Sequence, residues 1–419
     1  MMNAFSFIIL GALVFEFALG VISNLLNLRA LKLEPPPALE GVYKPDEYRN
    51  SQEYTRVTTR FGVVSSTFRL SLLLCFWFAG GFNYLGEAVT AWGYGPIVSG
   101  LLYIGIILVS YNVVMVPFAL YATFVIEERF GFNRTTPRIF LADRVKVLAL
   151  SVLLGAPLLT GILALFEYAG LYAWLYCWGV ITLVVVALQF IAPRWIMPLF
   201  NKFTPMQEGE LKEAILRYMR SLGYNIDNVF IMDGSKRSSK SNAFFAGVGG
   251  SKRVALFDTL IEKHSMPELV AVLAHEIGHY KKRHIQQGIA ISIAHTGLLF
   301  FLLSVFVDSP GLFQAFYMEQ QPIYAGLLFF DLLYSPIELL LSILLHMISR
   351  RHEYQADSFV AETIEEPRSL VDALKRLSAT NLSNLAPHPF YVFLNYSHPP
   401  LLQRVQAIQR YEAQRAAEA

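Results

Sequence analysis

His275-Glu276-Ile277-Gly278-His279 joins two imidazoles and a carboxylate within one helical turn. Residues four apart on an α-helix are neighbours on one face, so both rings can reach a single ion. Zinc held by three protein ligands keeps a fourth position open and lowers the pKa of water there to about 7. Glu276 follows the first histidine directly and can face that water rather than the ion. A carboxylate so placed takes a proton and passes it to a leaving amine, which is peptide hydrolysis. Such a motif also arises by chance, so a third ligand elsewhere in the chain is decisive.

The chain around the motif is built for a bilayer. Hydrophobic residues make up 54% of it and charged residues 16%, against about 25% charged in ordinary soluble domains. Mean hydropathy is +0.43. A spanning helix needs roughly 20 apolar residues, and seven stretches qualify, near 4–28, 67–90, 97–125, 146–169, 171–194, 285–307 and 323–348. No Lys or Arg precedes the first stretch, and Arg29 and Lys32 follow it, so it is expected to be a retained helix rather than a signal peptide.

Basic residues set the expected orientation. Loop 29–66 carries Arg29, Lys32, Lys44, Arg49, Arg56 and Arg60, and loop 126–145 carries Arg129, Arg134, Arg138 and Arg144. The long segment 195–284 and the tail are also basic, whereas connectors 88–96 and 308–322 hold no Lys or Arg. The positive-inside rule then places the N-terminus outside and the histidine motif in the cytoplasm. A net charge of +2 is too small to suggest a nucleic-acid partner. Cys75 and Cys177 fall inside predicted spans without metal-ligand spacing, so they read as packing residues.

Four parts are expected: spans one to five in 1–194, a protease insert with the motif helix in 195–284, spans six and seven in 285–348, and a helical part completing the metal site in 349–419. Within the insert, Glu208–Leu222 has helical spacing, and Asn228–Asp233 is a short β-rich run. Asn242–Val248 and Arg253–Ile261 read as strands around Gly249-Gly250. Ser265 caps the motif helix with Glu268 in a capping box, and that helix is expected to run through Lys281, Lys282, Arg283 and His284 to the membrane surface. Further helices are expected at 364–380 and 400–417, with 381–398 irregular.

Downstream, Ser349-Arg350-Arg351-His352-Glu353-Tyr354-Gln355-Ala356-Asp357 supplies two carboxylates four residues apart on one helix face. Glu353 suits a metal ligand, and Asp357 suits an acceptor that orients a ligand histidine. Alone, the pair would read as a solvated face with Arg350 and Arg351. His352 points about 100° away from Glu353 on a 3.6-residue helix and is rejected as a ligand. His264, His284, His295, His346 and His388 lack partners at metal spacing and read as structural or interfacial.

With these motifs assembled, the chain resembles the type I CaaX prenyl endopeptidases, polytopic zinc proteases that remove the last three residues of prenylated proteins. The resemblance runs the whole length. It includes the seven spans, the motif just before span six, Ser-Arg-x-x-Glu-x-x-Ala-Asp after span seven, Ser241-Asn-Ala-Phe-Phe-Ala-Gly247 and Tyr396-Ser-His-Pro-Pro-Leu-Leu-Gln-Arg404. It implies one zinc ion per chain on His275, His279 and Glu353, with Glu276 as the catalytic base. Asp357 matches a family position described as a proton donor, while its spacing alone makes it an orienter. Asn242, Ala243 and Phe244 fall on the family's strand beside the site, where an extended peptide would add as a further strand. His398 and Arg404 match positions facing the scissile carbonyl.

The implied fold is mainly α: seven transmembrane helices form a barrel around a large chamber, capped by a cytoplasmic α+β metalloprotease domain. A chamber accounts for Glu16, Asn112, Asp331 and Glu338 at membrane depth, as helix–helix hydrogen bonds also would. The implied partners are the lipid bilayer and a peptide or protein substrate, prenylated at its C-terminus. The compact loops suit a bacterial inner-membrane member, with the endoplasmic reticulum as the eukaryotic counterpart. A quality-control metalloprotease without prenyl preference is the alternative. A transporter is disfavoured because no repeated half is visible.

Overall fold

The computed structural model describes residues 2–32, 34–223, 229–246 and 253–418. Seven of its helices are long and apolar enough to cross a membrane: Ala4–Arg29, Pro45–Phe78, Pro96–Glu127, Pro137–Tyr168, Gly170–Phe200, His284–Phe306 and Ile323–Thr363. The second differs from expectation. It starts well before residue 67 and stops at Phe78, and a separate helix, Gly81–Ala91, follows. Gly80 makes the break at φ 72°, a conformation that costs glycine little. Phe82 on the new helix then packs edge-on against Phe316 and Phe329.

Neighbouring spans touch in a ring rather than filling a solid bundle. Span one meets spans two and seven, span seven meets three and six, span six meets five, and span four joins five to three. Phe61 and Phe68 of span two reach Phe118 of span three and close the circuit. Only 6–17% of each span's most apolar stretch is buried within the protein, so most of its surface faces lipid or interior space. A cavity of about 840 Å³ opens between spans one, two and three, with apolar walls carrying Glu16, Asn24 and Arg69.

One end of the barrel is closed by aromatic packing. Trp77 donates from Nε1 to the Ala315 carbonyl at 2.7 Å and stacks on Phe316. The Asn3 amide donates to Gly311 at 2.6 Å, so the N-terminus lies at this end. The other end carries the polar domain. Its four-stranded sheet has the order β1 (Phe203–Pro205), β2 (Val229–Met232), β4 (Arg253–Phe257), β3 (Ala243–Ala246). β2 and β4 are parallel, and the outer pairs are antiparallel. Residues 258–261, expected to extend a strand, instead start the short helix Asp258–Lys263. Asp258 accepts from the Thr259 and Ser235 amides, which turns the chain out of the sheet.

The helix Glu210–Ser221 and the motif helix Met266–Lys281 cover this sheet through Ile215, Met219, Leu269, Leu273 and Ile277, packed on Val229, Val254 and Leu256. A second core joins Tyr48, Ala271, Val360, Leu374, Val405 and Ile408. Polar contacts hold the domain to the barrel. Arg237 donates to both oxygens of Asp143 at 2.7 and 2.9 Å. Lys240 lies 2.8 Å from Glu127, which also accepts from Tyr54. In the tail, Arg368–Thr380 and Leu401–Glu418 are helical as expected, and Pro389–Asn395 adds a short helix within the stretch read as irregular.

Span seven positions the site. Its 41 residues extend about 60 Å at 1.5 Å each, twice the hydrocarbon thickness of roughly 30 Å. The last turns therefore leave the membrane as one rigid rod carrying Glu353 and Asp357 into the polar domain.

Candidate metal centre

The motif helix begins where the sequence places it. The Ser265 amide donates to Glu268 Oε2 at 2.9 Å, and Pro267 sits in the first turn. Eight residues of this helix are buried, His275 and Gly278 among them. Gly278 is where the two site-bearing helices meet. A Cβ built there would lie 3.1 Å from Ala356 Cα, so the motif helix and span seven approach backbone to backbone. That approach brings Glu353, three residues before Ala356, against the histidines.

His275 Nε2 and His279 Nε2 are 3.1 Å apart. Glu353 Oε2 lies 3.3 Å from the first ring and its Oε1 lies 3.2 Å from the second. Among the described residues these three form the one group able to hold a metal ion. Tetrahedral bonds of about 2.05 Å would separate ligand atoms by about 3.3 Å, so the spacing fits a zinc-sized cation. Glu353 Oε2 is buried and makes no hydrogen bond among the described residues, as an atom meant for an ion should be.

Behind this triad stands a charge network. Asp357 is fully buried, with Oδ1 3.0 Å from His275 Nδ1. Arg404 is also buried and donates to both Asp357 oxygens at 2.6 and 2.9 Å. Its Nη1 lies 3.3 Å from Glu353 Oε2. Burial opposes Arg404's charge, but Asp357 and Glu353 outweigh it and hold the guanidinium protonated. Burial likewise disfavours charge on His275, yet the Asp357 and Glu353 carboxylates beside it prevail and lift its pKa to about 9.

On the open side, His398 is 64% exposed and its Nε2 lies 3.3 Å from Glu353 Oε1. The Ser397 hydroxyl meets its Nδ1 at 2.9 Å. Glu276 is half-buried, and its charge is felt by Arg404. Asn242 is exposed at the start of β3, and its Oδ1 accepts from the Ala243 amide. Ala243 and the backbone of Phe244 pair with Leu256 and Ala255. Among the described residues β3 is an edge strand of the sheet, and it lies against the motif helix. Gly247 of the same stretch lies outside the described residues.

Spacing did not reveal His284. The motif helix stops at Lys281, and Arg283 adopts φ 60°, so span six starts afresh at His284. On an unbroken helix, five residues would have carried His284 about 140° around from His279. The break instead puts its Nδ1 3.0 Å from His279 Nδ1. The other histidines read as structural keep local roles. His264 meets the Leu260 carbonyl, His346 the Leu394 carbonyl, and His388 accepts from the Phe390 amide. His295 pairs with Glu338 at 3.0 Å.

A barrel of seven spans, capped by a small sheet and a buried His-His-Glu cluster, defines a membrane-embedded metalloendopeptidase. Comparison with known proteins agrees. A family described as "CAAX prenyl protease N-terminal, five membrane helices" matches residues 24–202, and Peptidase family M48 matches residues 205–412. The chain belongs to the CAAX prenyl protease group of peptidase family M48. It is 35% identical over 394 residues to a CAAX prenyl protease 1 homolog of Oryza sativa, covering 91% of this chain and 92% of that one. It is 33% identical over 401 residues to CAAX prenyl protease 1 of Saccharomyces cerevisiae, covering 89% and 88%. The crystal structure of S. mikatae Ste24p superposes with a TM-score of 0.92 at 31% identity, over 97% of this chain and all of that one.

Proposed function

We propose that this chain is a zinc endopeptidase of the membrane surface, cleaving near the C-terminus of prenylated proteins, with one ion on His275, His279 and Glu353. The observation that carries this reading is the convergence of three ligand atoms within 4.8 Å of one another from two separate helices. When bound, zinc supplies Lewis acidity, acidifying water and polarising a carbonyl. Everything else is the work of this chain's own residues. β3 offers its free edge to an extended peptide, with Asn242, Ala243 and Phe244 as the aligning segment. Glu276 takes the proton of the attacking water and returns it to the leaving amine.

Asp357 accepts from His275 Nδ1, which leaves the Nε2 lone pair for the ion. Arg404 balances Asp357 and Glu353, so two carboxylates can stay ionised while buried. His398, exposed beside Glu353, is the donor placed for the developing oxyanion. Residues 195–284 and 349–419 act together as the protease part, and 1–194 with 285–348 as the barrel. The basic loops after spans one and three join the protease end, which supports a cytoplasmic active site. Prenyl preference rests on the names of the relatives, CAAX prenyl proteases, and on an apolar cavity in the barrel.

Purified protein would be assayed for zinc and for cleavage of a farnesylated peptide beside its unprenylated twin. Glu276→Gln is expected to keep stoichiometric zinc and lose cleavage by about 10²–10⁴-fold. Wild-type activity in that variant removes the general-base role. Equal cleavage of both peptides removes prenyl preference and favours a quality-control protease.

A further inference from the structure

We propose that His284 is a positioning residue for the metal ligand His279, fixing its proton on Nδ1 so that Nε2 is free for the ion. This inference rests on the reading of His275, His279 and Glu353 as the metal centre. Both ligand histidines need the same tautomer, with hydrogen on the ring nitrogen turned away from the ion. For His275 a carboxylate does this, since Asp357 Oδ1 lies 3.0 Å from Nδ1. His279 is held differently. Its Nδ1 faces a second imidazole nitrogen, His284 Nδ1, at 3.0 Å.

Two ring nitrogens make a hydrogen bond only if one donates and the other accepts. The direction follows from the far side of His284. Its Nε2 lies 2.8 Å from Gln355 Oε1, an acceptor, so Nε2 carries the proton. A neutral imidazole that donates from Nε2 must accept at Nδ1. His279 is therefore the donor across the 3.0 Å contact, and its Nε2 lone pair points to the centre. Gln355 in turn sits between Glu353 and Asp357 in sequence, so span seven sets both ligand tautomers.

Two further observations bear on how His284 is held in place. Its ring is stacked on His352 at 4.0 Å and 8°, and His352 Nε2 is fixed by Gln287 Oε1 at 2.9 Å. The orientation of Gln287 is set by its own amide, which donates to the Lys282 carbonyl at 3.1 Å. Arg283 also adopts a left-handed backbone at φ 60°, a conformation that L-residues other than Asn and Asp seldom take. That strain breaks the helix at the one place that turns His284 back toward His279. A buried histidine needing only a partner would be satisfied by the Gln355 bond without it.

The test is zinc affinity of the full-length protein in detergent, by competition with a fluorescent chelator, together with the absorption spectrum of the cobalt-loaded form. His284→Phe keeps a ring to stack on His352 but removes the acceptor, and zinc affinity is expected to fall about 10–100-fold with an altered cobalt spectrum. His284→Asn places a carbonyl near the lost nitrogen and is expected to recover most of the affinity. Gln355→Leu, which frees the His284 tautomer, is expected to shift affinity the same way by less, and serves if His284→Phe fails to fold. Wild-type affinity in both His284→Phe and Gln355→Leu overturns the proposal, as does equal loss in His284→Phe and His284→Asn. Absence of zinc from wild-type protein, or its retention in Glu353→Ala, would instead overturn the metal centre itself.

Discussion

Along the helix Ile323–Thr363, Asp331 and Glu338 lie in the membrane portion and Glu353 and Asp357 beyond it, and the protein treats these two pairs in opposite ways. Glu353 and Asp357 are 4% and 0% exposed, and between them they contact two histidines of the motif helix, His398 and Arg404. Asp331 and Glu338 are exposed along the barrel portion, where Glu338 meets His295. The difference follows solvent. A carboxylate without water must find cations and donors or lose its charge. Asp331 and Glu338 keep much of their surface outside the protein, so they depend less on protein partners.

Removing the counter-charge at the buried end should do the most damage. Arg404→Ala would leave Asp357 and Glu353 poorly compensated and is expected to cost about 3–5 kcal/mol, with loss of metal. Thermal unfolding and metal content check this, and an unchanged midpoint would break the contrast between the two ends. Closing the helix contact comes next. Gly278→Ala places a Cβ 3.1 Å from Ala356 Cα, where only backbone can yield. An expected cost of about 1–3 kcal/mol, with weakened zinc, is read in the same two measurements.

Protons sharpen the comparison further. His275 has its pKa raised from 6.5 to about 9 in the metal-free protein, so the fold favours the charged ring. That stabilisation is fully present below about 6.5 and is lost as pH rises through about 9. Metal requires the neutral ring, so its affinity should rise about tenfold per pH unit and level off above the folded pKa. Calorimetry in two buffers of different ionisation heat would detect the released proton, and buffer-independent heat would refute it. Smallest of all, Glu338→Gln is expected to change stability by at most about 0.5 kcal/mol and leave zinc content alone. A large loss there would mean that the barrel interior is drier than its openness implies.

Much of this was legible in the residues. Seven apolar stretches forecast seven spans, and basic residues sorted their connectors into two sets. The two halves of the candidate centre were also readable, because helical periodicity alone puts His275 with His279 and Glu353 with Asp357. The second span was misplaced because hydropathy reports where a chain is apolar, not where its backbone turns. Gly80 ends that helix, and the polar turns from Pro45 onward belong to the same rod. His284 was passed over for a related reason. Spacing rules assume an unbroken helix, and Arg283 breaks it with a residue that gives no such warning.

Sequence by itself determined the seven apolar spans, the donor types of the candidate centre and the helix faces on which they lie, since each is a local property of composition or helical period. Tertiary structure alone decided that span seven crowds residue 278, that Arg404 bridges the two carboxylates, and that His284 abuts His279. Each of those depends on how far apart two distant segments come to rest. That distance is set by packing of whole helices, which no short stretch of residues encodes.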